Sequence, residues 1–417
     1  MATVGRVVTT KIEIAWDGTN YVDESAYFVS ARGEFRIAAP GSSILSPRGT
    51  VDAATIVLRN PDEVSTGRRF SPLNTAGALY SMIAGGGAYH RPVKISISVN
   101  GASYVRVFTG VIKIPREGTP TPKVDATVDI DCRSNDELML QLKTSTTLSA
   151  FVDNHNNGVT EGDIITQLLA NTPMSLSSGQ YAVDGGKFGI PWAWLDDESI
   201  LDDLWQLAAA CGGRLYTDPE GIVRYENMSH WLGHSTSSET LTRASYTALQ
   251  IRYDDSELYS EVTVEASPRA IEGESVLWEP EDEILVPAGG TRTITAKLRQ
   301  PAYSISSYAW TARTSGGLNI TPSVTLDYTE YAQRVLLTWT SVSTYACEIA
   351  HAQIIGRSVN GAPTIEETRT STDSFWTYRK PRDRSVRGNV YVQSRSQAKT
   401  LAEYLRDAQE TPRLVYS

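Results

Sequence analysis

Between Val124 and Cys132 the sequence alternates without a break. Val124, Ala126, Val128, Ile130 and Cys132 stand on one side, and Asp125, Thr127, Asp129 and Asp131 on the other. Successive side chains of a strand point to opposite faces, so this segment demands a sheet with one face buried and one wet. The signature recurs upstream in shorter form. Ile12, Ile14 and Trp16 alternate with Lys11, Glu13 and Ala15 ahead of an Asp17-Gly18 turn, and further strands are expected at 35–38, 50–58, 93–99 and 104–114. Six such strands with one short helical segment near 75–84 imply an antiparallel barrel or a sandwich. Helical periodicity resumes only at 135–142.

The strongest helix lies in the stretch 195–227. Ile200, Leu201, Leu204, Leu207, Ala208 and Cys211 recur at helical spacing, while Asp202, Asp203 and Gln206 fall off that stripe. Asp196 or Asp197 is placed to accept from the free N–H groups of the first turn, and Gly212-Gly213 to close the helix in the left-handed conformation. A hairpin is expected at once, with Leu215-Tyr216-Thr217 and Ile222-Val223-Arg224-Tyr225 flanking Asp218-Pro219-Glu220-Gly221. Before this unit come a second short helix at 162–169, a Ser/Gly-rich loop through Gly189 and the step Pro191-Trp192-Ala193-Trp194. After it, the polar stretch 235–242 reads as a linker or surface loop. Strand alternation resumes at 249–253 and 260–266, followed by short strands at 284–286, 291–298, 323–326, 334–340, 348–358 and 364–368 that suit a small sandwich.

At 417 residues the chain exceeds what one core supports, so two to four domains are expected. Hydrophobic residues at 41% with charged residues at 21% exclude a disordered chain, and a net charge of −10 argues against a general nucleic-acid binder. No window approaches eighteen uninterrupted apolar residues, and the first residues lack an apolar signal core, so the expectation is a soluble protein without a cleaved export signal. Cys132, Cys211 and Cys347 form an odd, widely spaced set and read as buried free thiols in a reducing cytosol.

The helix–hairpin unit resembles one in tail-tip and baseplate hub proteins of tailed bacteriophages. The first third of the chain strengthens the resemblance. Asp17-Gly18, Arg32-Gly33, Arg48-Gly49, Leu58-Arg59-Asn60-Pro61-Asp62, Arg69-Phe70-Ser71-Pro72-Leu73-Asn74, Arg91-Pro92-Val93, Phe108-Thr109-Gly110-Val111-Ile112 and Asp129-Ile130-Asp131-Cys132 follow the order seen in the first domain of those hubs. Arg59 replaces the family's usual aspartate, which alters surface charge and not the strand. Farther on, Ala332–Leu337 followed by Ile354-Ile355-Gly356-Arg357 resembles the β-sandwich of the third hub domain. Asp373-Ser374, Val386-Arg387-Gly388-Asn389 and a helix from Ser396 through Leu405 then keep the family order, although its Tyr-Gly pair is missing.

The resemblance implies a β-rich α+β multidomain chain. A tube-type antiparallel β-barrel would span 1–145, a small α+β domain with the helix–hairpin unit 146–245, and a β-sandwich or second barrel-like region 246–417. Leu414-Val415-Tyr416 looks like the start of another strand, so either the hub is short or a further domain follows. The implied role is a non-enzymatic homotrimer in the virion tail tip, assembled in the host cytoplasm. Two tube-type domains per subunit would match a sixfold tube to a threefold tip and line the channel for genome ejection. Implied partners are the distal tail protein, the tape measure protein and the tip spike or fibre proteins used in host attachment. DNA is met only in transit, and no cofactor, metal or integral membrane association is implied. The rival readings are a tail-associated peptidoglycan hydrolase and a carbohydrate-binding tail module, the latter suggested by nine Trp and twenty Tyr.

Chemical motifs are sparse. Glu226, His230 and His234 have a spacing that suits zinc on a helix, but Gly233 and the preceding strand argue against one continuous helix. Asp196, Asp197, Glu198, Asp202 and Asp203 are acids of a helix start rather than the opposed carboxyls of a glycosidase. Gly85-Gly86-Gly87 lacks the lysine and Ser/Thr of a phosphate loop. Arg379, Lys380, Arg382, Arg384 and Arg387 form a basic cluster after Phe375-Trp376. They are expected on an exposed loop that docks on a neighbouring subunit, with DNA contact as the alternative.

Overall fold

The protein is described by a computed structural model that covers residues 7–34, 51–63, 67–71, 73–77, 79–80, 90–113, 115–118, 126–142, 159–171, 176–193, 199–232, 251–254, 258–372, 379, 382–409 and 413–416. The fold is β-rich with few helices and several largely antiparallel sheets, as the alternation demands. It forms two compact units. The first comprises Met1–Leu142, Met174–Val183 and Arg214–Tyr225, and the second Lys143–Pro173, Asp184–Gly213 and Glu226–Ser417.

In the first unit, strands β1 (Val8–Ile14), β2 (Val22–Asp23), β3 (Phe28–Glu34) and β4 (Ala53–Arg59) precede a two-stranded ribbon of β5 (Asp62–Glu63) and β6 (Gly67–Arg68). Then come β7 (Pro92–Val99), β8 (Val105–Ile112), β9 (Arg116–Glu117) and β10 (Thr127–Ser134). The main sheet has the order β2-β1-β7-β8-β10-β4-β3, with β9 also on β10. Val128, Ile130 and Cys132 of β10 are buried, and β4 lies antiparallel to it from Arg59 opposite Thr127 to Ala53 opposite Arg133. Ile12, Ile14, Ile56, Leu58, Val93, Ile95 and Phe108 complete one core. The barrel expected for this region is not closed among the described residues. The sheet ends at β3 on one side and on the other at β2, which pairs only with Glu13 and Ile14. The strand expected at 35–38 and most of the helical segment near 75–84 lie outside the described residues, whereas the seven-residue β3 falls earlier, in a stretch where no strand was expected.

Helix α1 (Asp136–Gln141) follows β10, and the unit is completed by β11 (Tyr181–Val183), β12 (Arg214–Thr217) and β13 (Val223–Glu226) in the order β11-β13-β12. The hairpin closes as its turn residues dictate. Gly221 N donates to Asp218 O and Asp218 N to Ile222 O, both at 2.9 Å, with Gly221 at φ +86°. The unexpected element is β11, which lies in the Ser/Gly-rich stretch and joins β13 in parallel.

The second unit carries α2 (Glu161–Asn171), α3 (Ile200–Ala210) and α4 (Met228–Leu232). Ile200, Leu201, Leu204, Leu207, Ala208 and Cys211 are all buried, as the stripe requires, and Gly212 ends the helix at φ +65°. Two details differ from expectation. Ser199 caps α3, its hydroxyl accepting from Asp202 N at 3.1 Å, while Asp196 and Asp197 lie outside the described residues. Asp203 is buried rather than off the packed face.

The later strands are β14 (Ile251–Asp254), β15 (Glu261–Ala266), β16 (Arg269–Trp278), β17 (Ile284–Val286), β18 (Thr291–Lys297), β19 (Ala302–Thr314), β20 (Val324–Glu330), β21 (Arg334–Ser341), β22 (Cys347–Gly361), β23 (Ile365–Thr370), β24 (Asp383–Val386) and, after helix α5 (Arg395–Gln409), β25 (Arg413–Tyr416). The sandwich sets β16, β17, β19 and β22 against β18-β21-β20, with Val335, Leu337 and Trp339 meeting Ile349, Ala352 and Ile354. Strands β16 and β19 escape sequence reading for a physical reason. Their pairing with β22 shifts register between Ile271 and Glu274, Val276 and Trp278, Ala302 and Ser304, Ile305 and Ser307, and Ala309 and Thr311. At the first four of these shifts the extra residue lies in β16 or β19 and breaks its period of two, and at the last it lies in β22. A third sheet, β23-β15-β24, packs against α5, and β25 pairs with β14.

Candidate functional site

In the first unit Trp16, Tyr27, Arg69 and Phe70 gather around a buried carboxylate. Glu24 has no exposed surface, yet it lies between Trp16 Nε1, which donates to its Oε1 at 2.9 Å, and the Arg69 guanidinium at 3.1 Å. Arg69 also lies over the Tyr27 ring at 4.8 Å and the Phe70 ring at 5.4 Å, and Tyr27 meets Phe70 edge-on at 5.5 Å. A buried carboxylate is tolerated only with such partners, because its desolvation otherwise costs several kcal/mol. Next to this cluster, Asn60 is 1% exposed. Its Oδ1 accepts from Phe70 N at 2.7 Å and its Nδ2 donates to Glu117 Oε1 at 3.2 Å, a carboxylate that also takes Arg68 at 3.0 Å. The arrangement ties the end of β4, the 67–77 loop and the β1–β2 turn together. Its chemistry is positioning. Glu24 was missed in the sequence because Asp23-Glu24-Ser25 has the look of any polar turn.

A second buried carboxylate anchors the hairpin. Asp136, at the start of α1, accepts from the Thr217 hydroxyl on β12 and from Ser134 Oγ at 3.3 Å. Burial pushes its carboxyl up to about 6, with the nearby Asp52 charge acting in the same direction and the two hydroxyls opposing. Asn135 Nδ2 donates to Gly221 O at 3.2 Å on the same hairpin.

The basic segment is less of a loop than expected. Asp383–Val386 is a strand parallel to β15, so Arg384 stands in register with the buried Val262 on the side that α5 covers, its guanidinium 5.9 Å from the Tyr259 ring. Arg382 is exposed at the head of the strand, where its carbonyl accepts from Ser260 N at 2.9 Å. Arg387 pairs with Glu366 at 3.0 Å, and Glu366 stands opposite Glu265 on the other face. Arg379 is exposed at φ +53°, and Lys380, Phe375 and Trp376 lie outside the described residues. Strand alternation thus splits the run between two faces. The sequence also gave no sign of an ion ladder on the α5 side. Glu367 is clasped by Arg395 and by Arg369 at 3.2 Å, and Arg369 reaches Glu403 at 3.1 Å. Arg395 foremost, with Arg369, holds the Glu367 carboxyl below its ordinary range.

Other motifs resolve into structure. His230 Nδ1 lies 3.0 Å from Asp184 Oδ2 and Nε2 lies 3.5 Å from Glu226 Oε1, while His234 is outside the described residues. Among the described residues, no group of three His, Cys, Asp or Glu side chains is arranged to hold a metal ion. Asp202 belongs to the Ser199 cap, and Gly85-Gly86-Gly87 is outside the described residues. All three cysteines are buried and unpaired.

No family model and no curated protein matches this sequence. Among solved structures, the chain is similar to a tail protein from Neisseria meningitidis MC58, with 13% identity over 81% of this chain and 98% of that one and a TM-score of 0.36. It is also similar to the 43 kDa tail protein of prophage MuSo2 from Shewanella oneidensis, with 14% identity, coverage of 62% and 66%, and a TM-score of 0.37. A third is prophage tail protein gp18 from Listeria monocytogenes EGD-e, with 8% identity, coverage of 79% and 94%, and a TM-score of 0.34.

Proposed function

We propose that this chain is a structural subunit of a bacteriophage-type tail, acting as the hub at its distal tip. In this reading a homotrimer closes a ring that continues the tail channel and joins the tube to the spike or fibres, with the distal tail and tape measure proteins as neighbours. One observation carries it. Two of the short segments that follow the hub order in sequence meet in space, where Asn60 Oδ1 accepts from Phe70 N. The exposed arginines Arg379, Arg382 and Arg387 serve, in this reading, as a contact for an acidic face of the next subunit. Native mass spectrometry of the purified chain, and particle symmetry of assembled tails, should give a trimer. A stable monomer inside an assembled tail refutes the ring. Clearing of peptidoglycan in zymography would favour the hydrolase instead.

A further inference from the structure

The two sheets of the β-sandwich end in different ways. In the sheet built on β22, the edge strands β16 and β19 each shift register at least twice, and bulges of that kind turn an edge away from further pairing. The sheet β18-β21-β20 has no bulge. Its edge strands are seven residues each, and both pair with β21 in unbroken register, from Thr291 opposite Thr340 to Lys297 opposite Arg334 and from Val324 opposite Ser341 to Glu330 opposite Val335. Neither holds a proline or a glycine. Among the described residues, no strand pairs with the far side of β18 or β20.

The backbone of both edges is open at a regular spacing. In an antiparallel ladder, successive residues turn their N–H and C=O alternately toward the partner strand and away from it. Tyr331 N donates to Arg334 O and Val342 N to Ser323 O, so the odd residues of β20 bond to β21 while Val324, Leu326, Tyr328 and Glu330 turn outward. Leu298 N donates to Gln333 O and Ser341 N to Gly290 O, so Thr291, Thr293, Thr295 and Lys297 of β18 turn outward. Arg299, the next of that series, keeps the pattern by donating away from β21, to Leu277 O at 3.1 Å.

Side chains make the two edges complementary. β20 carries Asp327 and Glu330 and no cation, β18 carries Arg292 and Lys297 and no carboxylate, and all four are exposed. Alternation sorts them by face. Glu330 and Arg292 fall on the core side, in line with the buried Val324 and Ala296, and Asp327 and Lys297 on the opposite side. That opposite side also carries Thr291, Thr293 and Thr295 on one edge and Thr325 and Thr329 on the other. Threonines already join β18 to β21 there, through the Thr291–Thr340 hydroxyls at 3.3 Å and the Thr293–Thr338 hydroxyls at 3.1 Å.

We propose that β20 of one copy of this chain pairs with β18 of the next, so that the sheet runs on from subunit to subunit. Unpaired strand backbone takes a strand, and charge selects which one. β20 beside β20 sets carboxylates against carboxylates, and β18 beside β18 sets cations against cations, whereas β20 beside β18 brings opposite signs together. Pairing of unlike edges is head-to-tail, which closes a ring or extends a filament. It does not fix the number of copies, and it stands whether or not the copies sit in a tail.

The test is sedimentation of the full chain over a concentration series. The wild type should self-associate. Thr295→Pro blocks β18, because its ring replaces an outward N–H that no described strand meets. Asp327→Lys/Glu330→Pro blocks β20 in the same way and reverses its charge. Each variant alone should associate more weakly by on the order of tenfold or more. Their equimolar mixture should give a one-to-one dimer that grows no further, since the open β20 of the first meets the open β18 of the second, and that dimer itself shows both chains folded. A monomeric wild type, association of either variant as tight as the wild type's, or a mixture that stays monomeric while both variants keep the wild-type circular dichroism each overturns the proposal. A trimer that persists in both variants overturns it and leaves the tail reading intact. Head-to-tail assembly of another number upholds it and overturns the trimer.

Discussion

Replacing Asp136 with Asn isolates the cost of a buried carboxylate. Its carboxyl titrates at about 6 in the fold against an ordinary 3.8, so folding favours the protonated form. The stability associated with that form is fully present below the unfolded value and is lost as pH rises through the folded one. The first unit should therefore weaken between about pH 4 and pH 6 and level off above, by roughly 3 kcal/mol for a shift of about two units. Asn keeps an acceptor for the Thr217 hydroxyl and a group to meet Ser134, and it carries no charge to desolvate. Asp136→Asn should stabilise the unit by up to about 3 kcal/mol at pH 7.5 and by nothing at pH 3, which corresponds to a rise of about 6–12 °C in melting temperature at neutral pH. Trp16 is the one tryptophan in the first unit, so bulk fluorescence reports mainly on the second. Hydrogen exchange of peptides covering β10, next to Ser134, is the suitable assay. A variant less stable than wild type at pH 7.5, or a difference that does not change with pH, would show that the hydroxyl bonds outweigh the burial.

Three further outcomes are expected. Leu204→Asp places a charge at a position with no exposed surface and should cost several kcal/mol, so that thermal denaturation of the second unit shifts sharply downward; an unchanged melt would show that the side chain escapes. Arg69→Met leaves the Glu24 carboxylate buried with the Trp16 indole still donating to it and should destabilise the first unit by about 3 kcal/mol in urea titration, whereas Arg69→Met/Glu24→Met should recover much of that loss. Arg382→Ala/Arg384→Ala/Arg387→Ala should lower recovery of assembled tails, with raised salt mimicking the effect, while isolated chains show no gel shift with DNA at moderate salt; normal assembly with lost DNA binding would reverse that expectation.

Much of the local structure is legible in the residues themselves. The alternation through Cys132 became β10, the stripe from Ile200 to Cys211 became α3, and Asp-Pro-Glu-Gly became the hairpin turn. These signals act within a few residues, so no distant partner has to be known. The basic run shows where such reading stops. Its composition was plain, but its division between two faces depends on Asp383–Val386 joining β15 from more than a hundred residues away.

What the sequence by itself determined is the β-rich class, the positions of the strongly periodic elements and the burial of the three cysteines, because period and turn chemistry are properties of neighbouring residues. Tertiary structure decided the rest. Only packing made Glu24 and Asp136 interior carboxylates, since the groups that donate to them lie 45 residues away in Arg69 and 81 away in Thr217. Only sheet register, with its bulges, made strands of Arg269–Trp278 and Ala302–Thr314. A residue's environment is set by what crosses it in space, and no local period encodes that.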